Sequence, residues 1–173
     1  GAWALPSMSI ETAMPEVPRF AMYSGCALDS ITWQMQRSGL LTATASLIAQ
    51  GESIAGTSAA GTLADLGLKR FGHFNGAITR NGSPLGNIIS AEITYANTLD
   101  RVETIRSDGR LEGADPSIAA LTGKIEVRFA DPTLVNQAIA GEPCALTFSY
   151  GLTDGSRAVL GAATVLRGAP STG

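Results

Sequence analysis

The sequence predicts a mainly β domain, a β-sandwich or barrel of about eight strands with one short helix near residues 132–140. Three observations carry this expectation. "RSGLLTATASLIAQG" (residues 37–51) alternates Leu41, Ala43, Ala45 and Leu47 with Thr42, Thr44 and Ser46, the period of an extended chain. Short apolar or alternating runs recur between Gly-, Pro- and Asn-rich breaks along most of the chain. "DPTLVNQAIAGEP" (residues 131–143) breaks that pattern with helix signals at both ends: Asp131 as N-cap, Pro132 at the first turn, and Gly141 as the stop.

The elements follow in order. Pro6, Pro15 and Pro18 keep the lead, residues 1–18, irregular or edge-like. Strands are expected at residues 19–24, 28–36, 40–50, 74–79, 87–96, 122–130, 144–150 and 158–166. A three-residue loop, Arg37-Ser38-Gly39, puts Gly39 at the left-handed position such hairpins favour. It pairs Met35 with Leu41, Trp33 with Ala43 and Ile31 with Ala45. Gln34, Thr32 and Ser30 then meet Thr42, Thr44 and Ser46 on the other face. Residues 51–67, "GESIAGTSAAGTLADLG", read as a Gly-rich flexible stretch in which Leu63–Leu68 can form a turn of helix. Leu134, Val135 and Ala138 give residues 132–140 an apolar helical face.

The chain also echoes itself. "GCALDSI" (Gly25–Ile31) and "GSPLGNI" (Gly82–Ile88) share the spacing Gly-x-x-Leu-x-x-Ile, each ahead of an alternating strand, which points to a repeated hairpin unit. The second unit has a long connection, residues 97–121. Asp100, Arg101, Glu103, Arg106, Asp108, Arg110, Glu112 and Asp115 concentrate mixed charge there. A connection of this length is either a solvated loop or an arm that meets a neighbouring subunit through opposite charges.

Composition limits the functions available. The chain has 173 residues, with 16% charged against an average of about 25%. Its net charge of −3 supplies no basic field for nucleic acid or an anionic membrane. No apolar run approaches the roughly 18 residues that span a bilayer. "GAWALPSMSI" lacks the features of a signal peptide and an initiator Met, as a processed or truncated chain would. Cys26 and Cys144 read as buried reduced thiols, and a disulfide cannot be derived from two lone cysteines. His73, the single histidine, sits in "FGHF" and reads as an aromatic strand edge. No nucleophile-elbow or P-loop motif occurs, and "SDGRLEGADP" lacks calcium-loop spacing. Asn81 in "NGS" fits a sequon but reads more simply as a turn. The expectation is therefore no catalytic residue, no cofactor and no metal.

One feature of the alternating strand remains. Ser30, Thr32, Gln34, Gln36, Thr42, Thr44 and Ser46 form a face of hydroxyls and amides without charge. Such a face is either covered by another strand, loop or subunit, or turned to something other than ordinary solvent.

Several stretches together resemble phage tail tube proteins, a family found in siphophages, myophages and prophages. "PSMSIE" (Pro6–Glu11) resembles a short strand of the family. "YSGCALDSITWQMQRSGLLTATASLIAQG" (Tyr23–Gly51), with Gly25-Cys26, resembles its central hairpin. "NGSPLGNIISAEITYANTLD" and "LTGKIEVRFAD" resemble its second pair of strands, so the likeness runs from residue 6 to residue 165. It implies one tail-tube-like domain over residues 1–173, in a chain lacking an N-terminal portion that family members carry ahead of "PSMSIE". It implies a structural virion subunit, not an enzyme, that assembles with itself and other tail proteins in the host bacterial cytoplasm. Rings would be hexameric or pseudo-hexameric and would stack into a tube through which DNA passes without specific binding, with no membrane involved. The hydroxyl and amide face would then line the lumen, and the charged connection would be the inter-subunit arm. A contractile secretion-system tube or a β-sandwich binding or adhesion module is the alternative.

Overall fold

The computed structural model describes residues 5–14, 16–103, 107–128 and 132–165. Its strands are β1 (Met8–Met14), β2 (Arg19–Met35), β3 (Thr42–Ile48), β4 (Gly51–Ala55), β5 (Gly76–Arg80), β6 (Ser83–Pro84), β7 (Ile88–Ala96), β8 (Leu99–Val102), β9 (Gly113–Pro116), β10 (Ala120–Val127), β11 (Cys144–Gly151) and β12 (Arg157–Val165). A 3₁₀ turn, His73–Asn75, precedes β5, and helix α1 spans Thr133–Ala140. The first sheet runs β1-β2-β7-β10, with β3 and β4 also paired to β2. The second runs β12-β11-β5-β6, and β8 pairs with β9 alone. Neither path closes on itself among the described residues, so the expected β class holds as a sandwich and not as a barrel.

The chain forms two compact units. One takes the chain up to Thr32, with Thr44–Leu68 and Tyr95–Ala120. Here the lead is less irregular than its prolines predict: Met8–Met14 is a strand paired antiparallel to β2. Prolines flank that strand and do not interrupt it. Residues 19–24 and 28–36 are one strand, not two. Gly25, at φ +64°, sits where the register shifts between Met8↔Cys26 and Ile10↔Tyr23. A glycine at positive φ lets a strand absorb an extra residue as a bulge without ending.

β4 was not legible either, and it pairs Phe20–Ser24 of β2 with Gly51–Ala55. Beyond it, residues 56–68 form no regular element, and no helical turn is present over Leu63–Leu68. The long connection also carries structure of its own. Leu99↔Pro116 through Val102↔Gly113 make an antiparallel ribbon, and Leu111 N–H donates to Gln50 O at 3.0 Å. Cys26, in β2, is buried.

The other unit takes Trp33–Ala43, Lys69–Thr94 and the chain from Leu121 onward. Its core joins Met35, Ile78, Ala91, Ile93, Leu146, Phe148 and Tyr150, with Trp33 and Ile125 packed against it half-buried. These side chains come from β2, β5, β7, β10 and β11, which supply alternate residues to a shared apolar layer. Phe71 meets Tyr150 edge-on, with centroids 5.9 Å apart.

The tight loop Arg37-Ser38-Gly39 is wider than expected, since residues 36–41 lie outside both strands. Gly39 does take positive φ, 92°. Leu41 N–H, however, donates to Phe71 O, His73 N–H donates to Gly39 O, and Leu40 bridges Gly72. A distant segment thus takes the Leu41 N–H that pairing with Met35 would have used. His73 lies in the 3₁₀ turn and is exposed, not at a strand edge.

The turn read at Asn81 is present. Asn81 and Gly82 take φ 49° and 81°, the two-residue geometry that reverses β5 into β6. The two halves of the proposed repeat therefore differ: Gly25 lies inside a strand and Gly82 in a hairpin turn. Helix α1 ends at Gly141 (φ +69°), where Glu142 N–H donates to Gln137 O at 3.2 Å. The expected cap Asp131 lies outside the described residues, as do the side chains of Leu134, Val135 and Ala138. Cys144, in β11, is half-buried.

Candidate functional site

The pleat of β2 divides its C-terminal end cleanly. Trp33 and Met35 turn toward the core, while Gln34 and Gln36 are exposed. β7 does the same, burying Ala91 and Ile93 and exposing Glu92. On β10 Ile125 packs inward, with Lys124 and Glu126 outward. One shallow depression of about 240 Å³ is lined by Gln34, Gln36, Ser90, Glu92, Lys124 and Glu126, with Met35 and Ala91 at its floor. Gln34 Nε2 donates to Glu92 Oε2 at 3.3 Å, and Ser90 Oγ donates to Glu126 Oε2 at 3.0 Å. The amide face of Gln34 and Gln36 is legible in the alternation of β2, whereas the charges of Glu92, Lys124 and Glu126 come from strands distant in sequence. The structure joins them at Gln34 and Gln36.

The other residues of the expected polar face divide by burial. Ser30 and Thr32 are half-buried, and Thr42, Thr44 and Ser46 on β3 are exposed. The apolar side of β3 is not buried as its alternation predicts: Ala43 and Ala45 are exposed as well. Among the described residues β3 pairs only with β2, and the side chains of residues 42–46 are exposed.

In the long connection Asp100, Arg101, Glu103, Asp108, Arg110, Glu112 and Asp115 are all exposed, and Arg106 lies outside the described residues. The base of this connection is fixed. Asn97, 5% exposed, donates from Nδ2 to Leu28 O and accepts from Tyr95 Oη, both at 2.8 Å. Its N–H reaches Asp29 O, and Asp29 Oδ1 accepts from Leu99 N–H at 2.9 Å. Further on, Gln50 Nε2 donates to Glu112 O. Among its described residues the connection thus carries a two-stranded ribbon seated on its own chain, with the charges of Asp100, Arg101, Glu112 and Asp115 outward.

The Gly-rich segment after β4 is a second exposed stretch. Leu63 (82%), Leu66 (75%) and Leu68 (82%) stand in water along residues 56–68. In the first unit, Glu11 accepts from the Ser58 hydroxyl and from Ala59 N–H at 2.7 Å; those two bonds, the hydroxyl first, hold its carboxyl below the usual range. In the other unit Lys69 Nζ contacts Asp154. Hydrogen bonding from Lys69, then from Ser156, lowers the Asp154 carboxyl to about 2. Three leucines within six residues of small and polar neighbours were the available signal.

Among the described residues no group of three or more His, Cys, Asp or Glu is placed to hold a metal ion. No helix among them is long and apolar enough to cross a membrane. The described residues offer exposed faces and strand edges. The family model described as phage tail tube protein matches residues 5–172. The chain belongs to the phage tail tube protein family. A tail tube protein has a structural role in the virion tail, and this one matches no curated protein.

Proposed function

We propose that this chain is a single-domain tube subunit whose copies close into hexameric or pseudo-hexameric rings, and that the rings stack around a lumen through which DNA passes. The observation that carries the reading is the sheet face of exposed Gln34, Gln36, Glu92, Lys124 and Glu126 with half-buried Ser90, which has no excess of positive charge. Duplex DNA carries one phosphate charge per roughly 1.7 Å, and each Lys or Arg on a wall adds counterion-release affinity. A wall of amides, hydroxyls and slightly anionic character holds no passing phosphate, so DNA moves without specific binding. Thr42, Thr44 and Ser46, with Ser30 and Thr32, extend the same wall chemistry.

Uncovered strands support the ring. β3 and β10 each pair on one side only among the described residues, and open strand edges are either blocked or joined. A heterologous contact repeated by rotation removes both edges at once. The charged ribbon of residues 97–121 contacts a neighbouring subunit, and other tail proteins cap the tube. Assembly takes place in the host bacterial cytoplasm, and the product resides in the virion tail.

Light scattering over a wide concentration range, with negative-stain microscopy of the same samples, tests the reading. Rings or tubes are the expected result. A strictly monomeric protein at every concentration overturns it.

A further inference from the structure

The exposed leucines have a counterpart on the same chain. A groove of about 440 Å³ lies in the unit that carries the core, with Ile78, Leu85, Ile88 and Tyr150 along it and Arg37 and His73 among its polar lining. Ile89, another lining residue, is 45% exposed, so apolar surface is open to water here as well. Apolar groups left in water on both sides mark surfaces that gain by meeting.

Charge selects the pairing. Residues 56–68, "GTSAAGTLADLGL", hold one charged side chain, Asp65. Arg37 is the one formal charge among the groove residues, and among the described residues it has no ion-pair partner. Asp65 Oδ1 accepts from Gly67 N–H at 2.9 Å, and Gly67 takes φ +56°, so Leu66 sits at the bend of a small turn. A carboxylate accepts more than one bond, which leaves Asp65 able to meet a guanidinium. The ends of the segment are tied down through Ser58, Ala59 and Lys69, which reduces the ordering needed on binding.

We infer that residues 60–68 of one copy seat Leu63, Leu66 and Leu68 in the Ile78–Ile88–Tyr150 groove of a second copy, with Asp65 against Arg37. This rests on the tube reading for its occupant, a second copy of this chain. It assigns the subunit contact to a leucine strap with one carboxylate, Asp65, in addition to the charged ribbon. A strap on one surface and a groove on another form a head-to-tail contact, which propagates.

Two measurements on the full chain test it. A fluorescent peptide of residues 60–69, AGTLADLGLK, is titrated with the wild-type protein and read by anisotropy. Saturable binding is expected, weakened at least tenfold by Arg37→Glu and restored by a peptide carrying Asp65→Lys. In parallel, the Leu63→Ser, Leu66→Ser, Leu68→Ser variant is compared with wild type by light scattering. These side chains are exposed, so the fold is retained, and self-association is expected to fall at least tenfold.

Absence of peptide binding, with the triple variant forming tubes like wild type, overturns the strap and leaves the tube reading standing. Loss of assembly without peptide binding overturns the groove as the seat. Arg37-dependent binding by a protein that forms no ring or tube supports the contact and overturns the tube reading instead.

Discussion

Gly25 holds φ at +64° inside a strand, and a Cβ built there would lie 2.5 Å from Gln50 Oε1. Left-handed backbone costs an L-residue roughly 1–2 kcal/mol, so Gly25→Ala is expected to lower stability by about that amount in urea unfolding. Gln50 must also shift, and its bond to Glu112 O loosens with it. The sequence shows Gly25-Cys26 plainly, yet as a break between two strands. A bulge and a break look alike until the partner register of Met8 and Ile10 is known. Asn97 is a harder case. In "ANTLD" it reads as an ordinary loop residue, and its burial exists only because Leu28 and Asp29 arrive beside it. Asn97→Ala strands the Leu28 carbonyl and the Tyr95 hydroxyl, for an expected loss of about 1–3 kcal/mol. Faster amide exchange at Leu99 would accompany that loss. Met35, 8% exposed, and half-buried Trp33 give an ordering by the same logic. Met35→Ala should cost about 2–5 kcal/mol and Trp33→Ala toward the low end of its class, about 3 kcal/mol. The alternation of "TWQMQ" made that face assignment legible, because period two needs no distant partner.

Among the elements, those with their own period were readable and those made by a neighbour were not. β7, β11 and β12 alternate or run apolar, whereas β4 is "GESIA", a strand only because residues 20–24 pair with it. The same holds for the segment after β4, whose anchors Glu11 and Asp154 lie far from it in sequence. Both carboxyls are lowered in the folded protein, so the sign is fixed. Each contact contributes above the ordinary carboxylate range and loses its contribution as pH falls through the lowered value. For Asp154 the window runs from its ordinary 3.8 down to about 2. Asp154 is exposed and Glu11 half-buried on a surface strand, so the effect is one of local anchoring and not of global stability. Amide exchange followed by NMR should show Ala59 still protected at about pH 4, where ordinary carboxylates are half protonated. Glu11→Ala should abolish that protection at neutral pH. Protection that survives Glu11→Ala would mean that the segment is held by something else.

At the scale of the whole molecule, the charged connection pairs Leu99–Val102 with Gly113–Pro116, and this changes what its removal does. Deleting residues 101–114 takes away the Leu111 and Glu112 contacts to Gln50, so a modest loss of stability is expected together with loss of stacking. Salt should weaken contacts through the ribbon more than ring closure through strand pairing, since exposed charges are screened beyond roughly 10 Å at 0.1 M. Light scattering across salt concentrations separates the two. The lumen assignment admits a sharper test, because its physical content is the absence of attraction. Gln34, Gln36 and Thr42 are exposed, so converting all three to Lys leaves the core untouched. In an assembled tube of that variant every subunit would present three new cations to the bore. If this face lines the bore, DNA retained by the variant tubes should be released steeply by salt, with a log–log slope of about −0.9 per phosphate neutralised. Wild-type tubes in the same buffer should retain almost none. Variant tubes that hold DNA no better than wild type would place Gln34 and Gln36 on the outer surface, or against a neighbouring subunit, and the polar alternation that first marked this strand would then belong to an interface.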